Sequence, residues 1–138
     1  MQLVPTYLPS IGYMAELVAH PIRFTLLTNY QKQTFRNRCS IYGGNGKLNL
    51  IIPVEHNKKK AHQKDSEVKI KWDENWQKQH WKSIASAYSS SPFFEFYEDE
   101  LKAAFFMQPK TLAAFNQGLL RCIFEWLDLE DEFLFSDK

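Results

Sequence analysis

The chain has 138 residues, 44% hydrophobic and 24% charged, which fits one globular domain spanning 1–138 and excludes a disordered or low-complexity protein. No apolar run approaches the roughly 20 residues of a membrane span, so no integral membrane segment is expected. The net charge of +1 hides a split: residues 1–72 carry 11 Lys/Arg against 4 Asp/Glu, and residues 73–138 carry 6 against 12. A basic N-terminal half favours an anionic ligand there, or attraction to the acidic half. A nucleic-acid binder usually has a continuous basic face, and this near-neutral balance argues against one.

The N-terminus, MQLVPTYLPS, lacks the basic start and apolar core of a secretory signal, and Cys39 and Cys122 are far apart. The expectation is a cytoplasmic protein with two thiols. Residues 2–7 read as a short edge strand, because Pro5 cannot donate to a central ladder. Pro9 can open a helix carrying Ile11, Met14, Leu17 and Val18 at helical spacing. His20-Pro21 ends it, since the residue before proline avoids the α region.

Ile22–Thr28 is rich in β-branched and aromatic residues and reads as a strand. The polar stretch NYQKQTFRNRCSI at 29–41 follows. GGNG at 43–46 lies between apolar runs and predicts a hairpin into Lys47–Val54, with Leu48, Leu50 and Ile52 on one face. Glu55–Ser66, with four lysines and no apolar period, reads as a mobile loop. EVKIKW at 67–72 alternates strictly, with Val68, Ile70 and Trp72 inward.

After Trp72 the period becomes helical. Asp73 can cap a helix whose stripe is Trp76, His80, Ile84 and Tyr88. Ser91-Pro92 can start a second, with Phe94, Tyr97, Leu101 and Phe105 inside. Pro109 opens a third, with Leu112, Phe115, Leu119, Ile123 and Trp126 inside. The tail 128–138 mixes acidic residues with apolar ones, a segment that docks weakly or frays. The fold class is α+β or small α/β: a mixed sheet from the N-terminal half packed against C-terminal amphipathic helices.

The polar stretch is the candidate binding site. Arginine presents a planar fork to carboxylate or phosphate, and lysine a point charge. Lys32, Arg36 and Arg38 supply charge, while Gln31 and Asn37 add donors and acceptors. Arg36 and Arg38 share a face if the stretch is extended. The alternative is a solvated edge whose charges pair with the acidic half.

His80 sits among Trp76, Trp81 and Tyr88. Its imidazole is a general acid or base if it faces a cleft, and a packed core histidine otherwise. Cys39 beside Arg38 is either an activated nucleophile or a small buried hydrophobe. His56 and His62 flank the lysine run without completing a closed metal site, so no metal is expected. GGNGK lacks the spacing of a phosphate loop, and there is no G-x-S-x-G elbow. The residues point to no particular cofactor.

TYLPSIGY at 6–13, NYQKQTFRNRCSI at 29–41, IIPVEH at 51–56, WQKQHWKSIASAYSSSPFFEFY at 76–97 and the last amphipathic helix resemble the WbqC-like protein family. The resemblance is to its short Bacteroidetes-type form and runs from about Thr6 to Leu129. The family is named after a protein of O-antigen biosynthesis loci. The resemblance thus implies a cytoplasmic role in surface polysaccharide synthesis: acyl or aminoacyl transfer to a nucleotide- or lipid-linked sugar. It adds Tyr7, Pro9 and Tyr13 to the recurring positions, with Lys32, Asn37, Arg38, Trp76, His80, Tyr88 and Pro92. Many family members carry an acidic pair near the position of Thr28-Asn29. Its lack here argues against a carboxylate- or metal-based mechanism. Nor is the glutamine usual before the first proline motif matched at Val4-Pro5.

Two function classes follow. In a transferase, Lys32, Arg36 and Arg38 hold phosphate, His80 moves a proton, and Tyr7, Tyr13, Gln31 and Asn37 complete the site. In a noncatalytic binding protein or subunit, the same pocket recognises an anionic small molecule, such as a glycan precursor or sugar nucleotide. An enzyme brings His80 within hydrogen-bond reach of a group held by Arg38. A binder leaves His80 buried beside an open pocket.

Overall fold

A computed structural model of the chain describes residues 2–19, 23–25, 30–31, 34–55, 63–72, 75–128 and 135–136. Strand β1 (Gln2–Leu3) stops just before Pro5 and lies at the edge of a small parallel sheet. Helix α1 (Ile11–Ala19) carries the chain over to β2 (Arg23–Thr25), because parallel neighbours need a crossover. Strand β5 (Phe135–Ser136) pairs with the other edge of β2, Phe24 opposite Phe135. That part of the tail is therefore tied to the sheet.

The second sheet is the expected hairpin. Strands β3 (Arg38–Gly43) and β4 (Gly46–Ile51) pair antiparallel, from Arg38 opposite Ile51 to Gly43 opposite Gly46. Only Gly46 takes a positive φ there, +105°, which a side chain would resist. Cys39, Ile41 and Leu50 are buried, while Ser40 and Asn49 meet on the outer face through a 2.7 Å hydrogen bond. Leu48, expected inward, is exposed near the turn end of the hairpin. The N-terminal strands thus form two small sheets.

The alternating segment 68–71 is not a strand but a double-sided lace. Glu55 and Lys71 donate backbone N–H groups to Lys69 and Pro53, while Ile70 and Leu112 donate to Lys110 and Val68. Val68 and Ile70 face the core, as their alternation predicts. Of the lysine-rich stretch read as a mobile loop, residues 56–62 lie outside the described ones. Its end is structured: Asp65–Glu67 forms a 3-10 turn with Asp65 buried.

Three amphipathic helices follow at the predicted places: α2 (Trp76–Tyr88), α3 (Phe94–Phe105) and α4 (Leu112–Trp126). α2 packs on β3, and α3 packs on both α2 and α4. The starts of α3 and α4 differ from the expected ones. Asp73 lies outside the described residues. Helix α3 is preceded by Phe93 in the left-handed region (φ 68°), and Ser91 contributes its backbone carbonyl to Phe94 N–H instead of a side-chain cap. Thr111 caps α4, accepting from Ala114 N–H at 3.2 Å.

The main core joins Tyr7, Ile52, Val68, Ile70, Trp76, Phe105, Phe115 and Leu119. A second face of α4, Leu120 and Phe124, packs on Leu3, Tyr13, Met14 and Leu17. Helix α4 is thus buried on two sides and holds α1 to the body. Gly12 serves no close backbone approach among the described residues, since none of them beyond its own helix lies within 4 Å of where its side chain would begin. Among the described residues, no helix is long and apolar enough to cross a membrane.

Candidate functional site

The polar stretch divides among different tasks. The Arg36 guanidinium donates from Nε to Asp65 Oδ1 at 2.7 Å, forming an ion pair whose acid is only 5% exposed. Both partners belong to the basic half of the chain. Asn37 is buried; its side-chain amide nitrogen donates to the Ile52 carbonyl (2.9 Å), and its backbone carbonyl accepts from Ile52 N–H. It fastens the polar stretch where the chain leaves β4. Gln31 is exposed and accepts the Thr34 hydroxyl on its backbone carbonyl. Lys32 lies outside the described residues.

Arg38 opens β3 and is different. Its Nε is buried with no hydrogen-bond partner among the described residues. The side chain lines a cavity of about 210 Å³ with Thr34, Phe35, Cys39, Ser40, Asn49 and Ile51. Arg36 and Arg38 both reach Tyr30 electrostatically: burial raises that phenol's pKa, and the two guanidiniums oppose the rise. They share a neighbourhood, but Arg36 is already engaged by a carboxylate.

His80 is 7% exposed and packs edge-on against Trp76, 5.2 Å between centroids. Its Nδ1 lies 2.9 Å from the hydroxyl of Tyr7, which is 1% exposed. Burial lowers the His80 pKa from 6.5 to about 4, and a backbone hydrogen bond with Ile51 pulls the other way. The ring is therefore neutral at pH 7. A bond to Ile51 that favours the charged ring is one the ring donates. The tautomer serving both neighbours then accepts the Tyr7 hydroxyl on Nδ1. Burial, then the nearby Cys39, hold the Tyr7 phenol well above its ordinary pKa.

In front of Tyr7 lies a groove of about 860 Å³. The TYLPSIGY segment forms one wall. Phe35, Ser40, Ile41 and Tyr42 form another, and Ile84, Tyr88, Pro92, Phe94, Tyr97, Leu101, Ile123 and Trp126 close it from the helices. No charged side chain lines it among the described residues. Its rim is exposed: Ile11 at 91%, Tyr42 at 71% and Phe35 at 65%. Tyr13 stands in the wall with its hydroxyl donated to the Val4 carbonyl at 2.8 Å, and burial raises its pKa. His80 lines neither cavity; Phe35, Cys39 and Ser40 line both.

An apolar cleft with a few hydroxyls and a cation next door suits binding and orientation. The imidazole is buried behind Tyr7 and does not line the groove, and burial holds the phenols of Tyr7 and Tyr13 above their ordinary range. Burial pushes the Cys39 thiol up to about 12, leaving it protonated; Cys122 is pushed up to about 11 by burial, Glu100 and Glu125. Among the described residues, no group of three or more His, Cys, Asp or Glu could hold a metal ion.

Sequence reasoning singled out Tyr7, Tyr13 and Arg38, which the fold brings to adjoining cavities. It gave no ligand role to Phe35, Tyr42, Tyr97 or Trp126. Phe35 and Tyr42 carried a signal, since each is a large ring that burial did not require. Tyr97 and Trp126 were assigned to inner faces, and what periodicity cannot show is that these faces diverge enough to leave a cleft.

No match is found among curated proteins, and no solved structure matches the chain. The model of one protein family does match, over residues 4–138, nearly the whole chain and all of the segments that build the groove. The chain belongs to the WbqC-like protein family.

Proposed function

We propose that this chain is a cytoplasmic, noncatalytic binding protein or subunit that holds a glycan precursor in the aromatic groove. One observation carries the reading: His80, the candidate proton carrier, is sealed behind Tyr7 while the groove in front of Tyr7 has an exposed rim. Recognition needs only the wall. Aromatic rings supply large, stiff contact area, and the hydroxyls of Ser10, Ser40 and Ser91 supply orientation. The family's association with O-antigen loci supports a precursor of surface polysaccharide as the ligand.

Acyl or aminoacyl transfer to a nucleotide- or lipid-linked sugar is the second reading. It is favoured by the fact that Tyr7, the partner of His80, itself lines the groove. It requires the Tyr7–His80 bond to open when substrate binds.

A thermal-shift screen against nucleotide-linked sugars, lipid-linked sugars and acyl donors tests the proposal. A ligand of the folded state raises stability by RT ln(1 + [L]/Kd). The expected result is a shift with a glycan precursor, absent in Tyr88→Ala, and no conversion of that ligand by mass spectrometry. Formation of an acylated or aminoacylated product would establish the transferase instead. A shift that survives Tyr88→Ala unchanged would remove the groove from consideration.

A further inference from the structure

We infer that the groove and the Arg38 cavity form one bipartite site for an alkyl or isoprenoid phosphate, with the chain in the groove and the phosphate on Arg38. The inference rests on the groove being a binding site, and it specifies which chemistry fits. The two cavities adjoin across Phe35, Cys39 and Ser40. One side is large and lined by no charged group among the described residues. The other is small and holds a guanidinium whose buried Nε lacks a hydrogen-bond partner among the described residues.

A buried donor without an acceptor is costly, and of the buried side-chain atoms lacking a partner among the described residues Arg38 Nε is the one that belongs to a cation lining a cavity. A phosphate oxygen accepts from such a donor with charge-assisted strength. The neighbouring Arg36 cannot substitute, because Asp65 already holds its Nε. The charge pattern therefore fits a ligand that is anionic at one end and uncharged along its body.

The wall chemistry separates a hydrocarbon body from a nucleobase. Reading a base needs donors and acceptors matched to its edges, which amides, carboxylates and guanidiniums provide. Among the described residues lining the groove there is no Asn, Gln, Asp, Glu or Arg. Leu8, Ile41, Ile84, Leu101 and Ile123 stand between the rings instead. Such a wall rewards buried CH₂ groups and has little with which to select a base.

Isothermal titration with monomeric dodecyl phosphate, 1-dodecanol and uridine monophosphate tests this. Dodecyl phosphate should bind at least tenfold more tightly than dodecanol, and the nucleotide should bind more weakly than either. Arg38→Ala should erase the phosphate advantage while leaving dodecanol binding unchanged. Arg38→Lys, which keeps charge without the planar fork, should retain part of that advantage and serves if Arg38→Ala does not fold. Equal binding of the two dodecyl probes, with no effect of either Arg38 variant, would overturn the phosphate subsite but leave the groove intact. Preference for the nucleotide would overturn the hydrocarbon body. Failure of both dodecyl probes to bind, with Tyr88→Ala altering nothing, would overturn the groove reading itself.

Discussion

The Tyr7 hydroxyl and His80 Nδ1, 73 residues apart in sequence, meet at 2.9 Å with their rings stacked 5.7 Å between centroids. This bond ties the TYLPSIGY segment to α2 and sets the back wall of the groove. Both partners are buried and both are neutral at pH 7, so the contact is a neutral hydrogen bond in an apolar setting. Tyr7 also packs on Phe105 and Phe115, which brings α3 and α4 to the same point.

Removing the hydroxyl should therefore cost stability out of proportion to one atom. Tyr7→Phe leaves the ring volume in place and strips Nδ1 of its donor. A buried polar group left unsatisfied costs about 1–3 kcal/mol. Urea denaturation should show a lower midpoint at an unchanged slope. A variant as stable as the parent would mean that water reaches Nδ1, contrary to the sealed geometry.

The same histidine gives the fold a pH dependence of definite sign. Its folded pKa, about 4, lies below the unfolded value of 6.5. Between those values the unfolded chain binds the extra proton. The stabilising contribution is thus full above about pH 6.5, falls as pH drops towards 4, and levels off below. Each tenfold difference in proton affinity between the folded and unfolded chain corresponds to about 1.4 kcal/mol. Other groups titrate in this window, so the measurement is the difference between the parent and His80→Gln. Their stabilities should converge as pH falls from 7 to 4, and parallel curves would refute the assignment.

Much of this fold is legible in the sequence because it is written in local periods. The helical stripes of α2, α3 and α4 and the alternation of Val68 and Ile70 each describe one element against one surface. The hairpin is legible from GGNG for the same reason. The caps were less so: Ser91-Pro92 has the composition of a helix start, yet Phe93 adopts φ 68° and the side-chain cap does not form. The site was legible only in part. Arg36 and Arg38 look alike as letters, and their difference arises from Asp65, 29 residues away in a stretch whose composition reads as a loop. Likewise, nothing local tells Tyr7 from Tyr13, yet one meets a histidine and the other a backbone carbonyl.

That difference between the arginines is measurable. Arg36→Ala withdraws the guanidinium from a buried carboxylate and should destabilise by about 3–5 kcal/mol. Arg38→Ala removes a donor whose Nε has no hydrogen-bond partner among the described residues, and should change stability by no more than about 1 kcal/mol. Thermal melts of the two variants side by side decide this. A larger loss from Arg38→Ala than from Arg36→Ala would reverse the assignment of one to structure and the other to ligand.

Gln77 links helix ends to the groove. It is buried in the first turn of α2, and its amide donates to the carbonyls of Phe105 (2.7 Å) and Met107 (3.0 Å) at the end of α3. A helix leaves its last carbonyls without intrahelical partners, so one amide here satisfies two acceptors at once. Gln77→Leu keeps most of the volume and deletes both donors, which should cost about 1–3 kcal/mol. The damage should be directional. Amide exchange should quicken first in the last turn of α3, while α4, capped independently by Thr111, stays protected. Because α3 carries Phe94, Tyr97 and Leu101 of the groove wall, ligands of the groove should also dissociate faster. A destabilised variant with uniform exchange and unchanged dissociation would show that Gln77 supports the core as a whole rather than the wall.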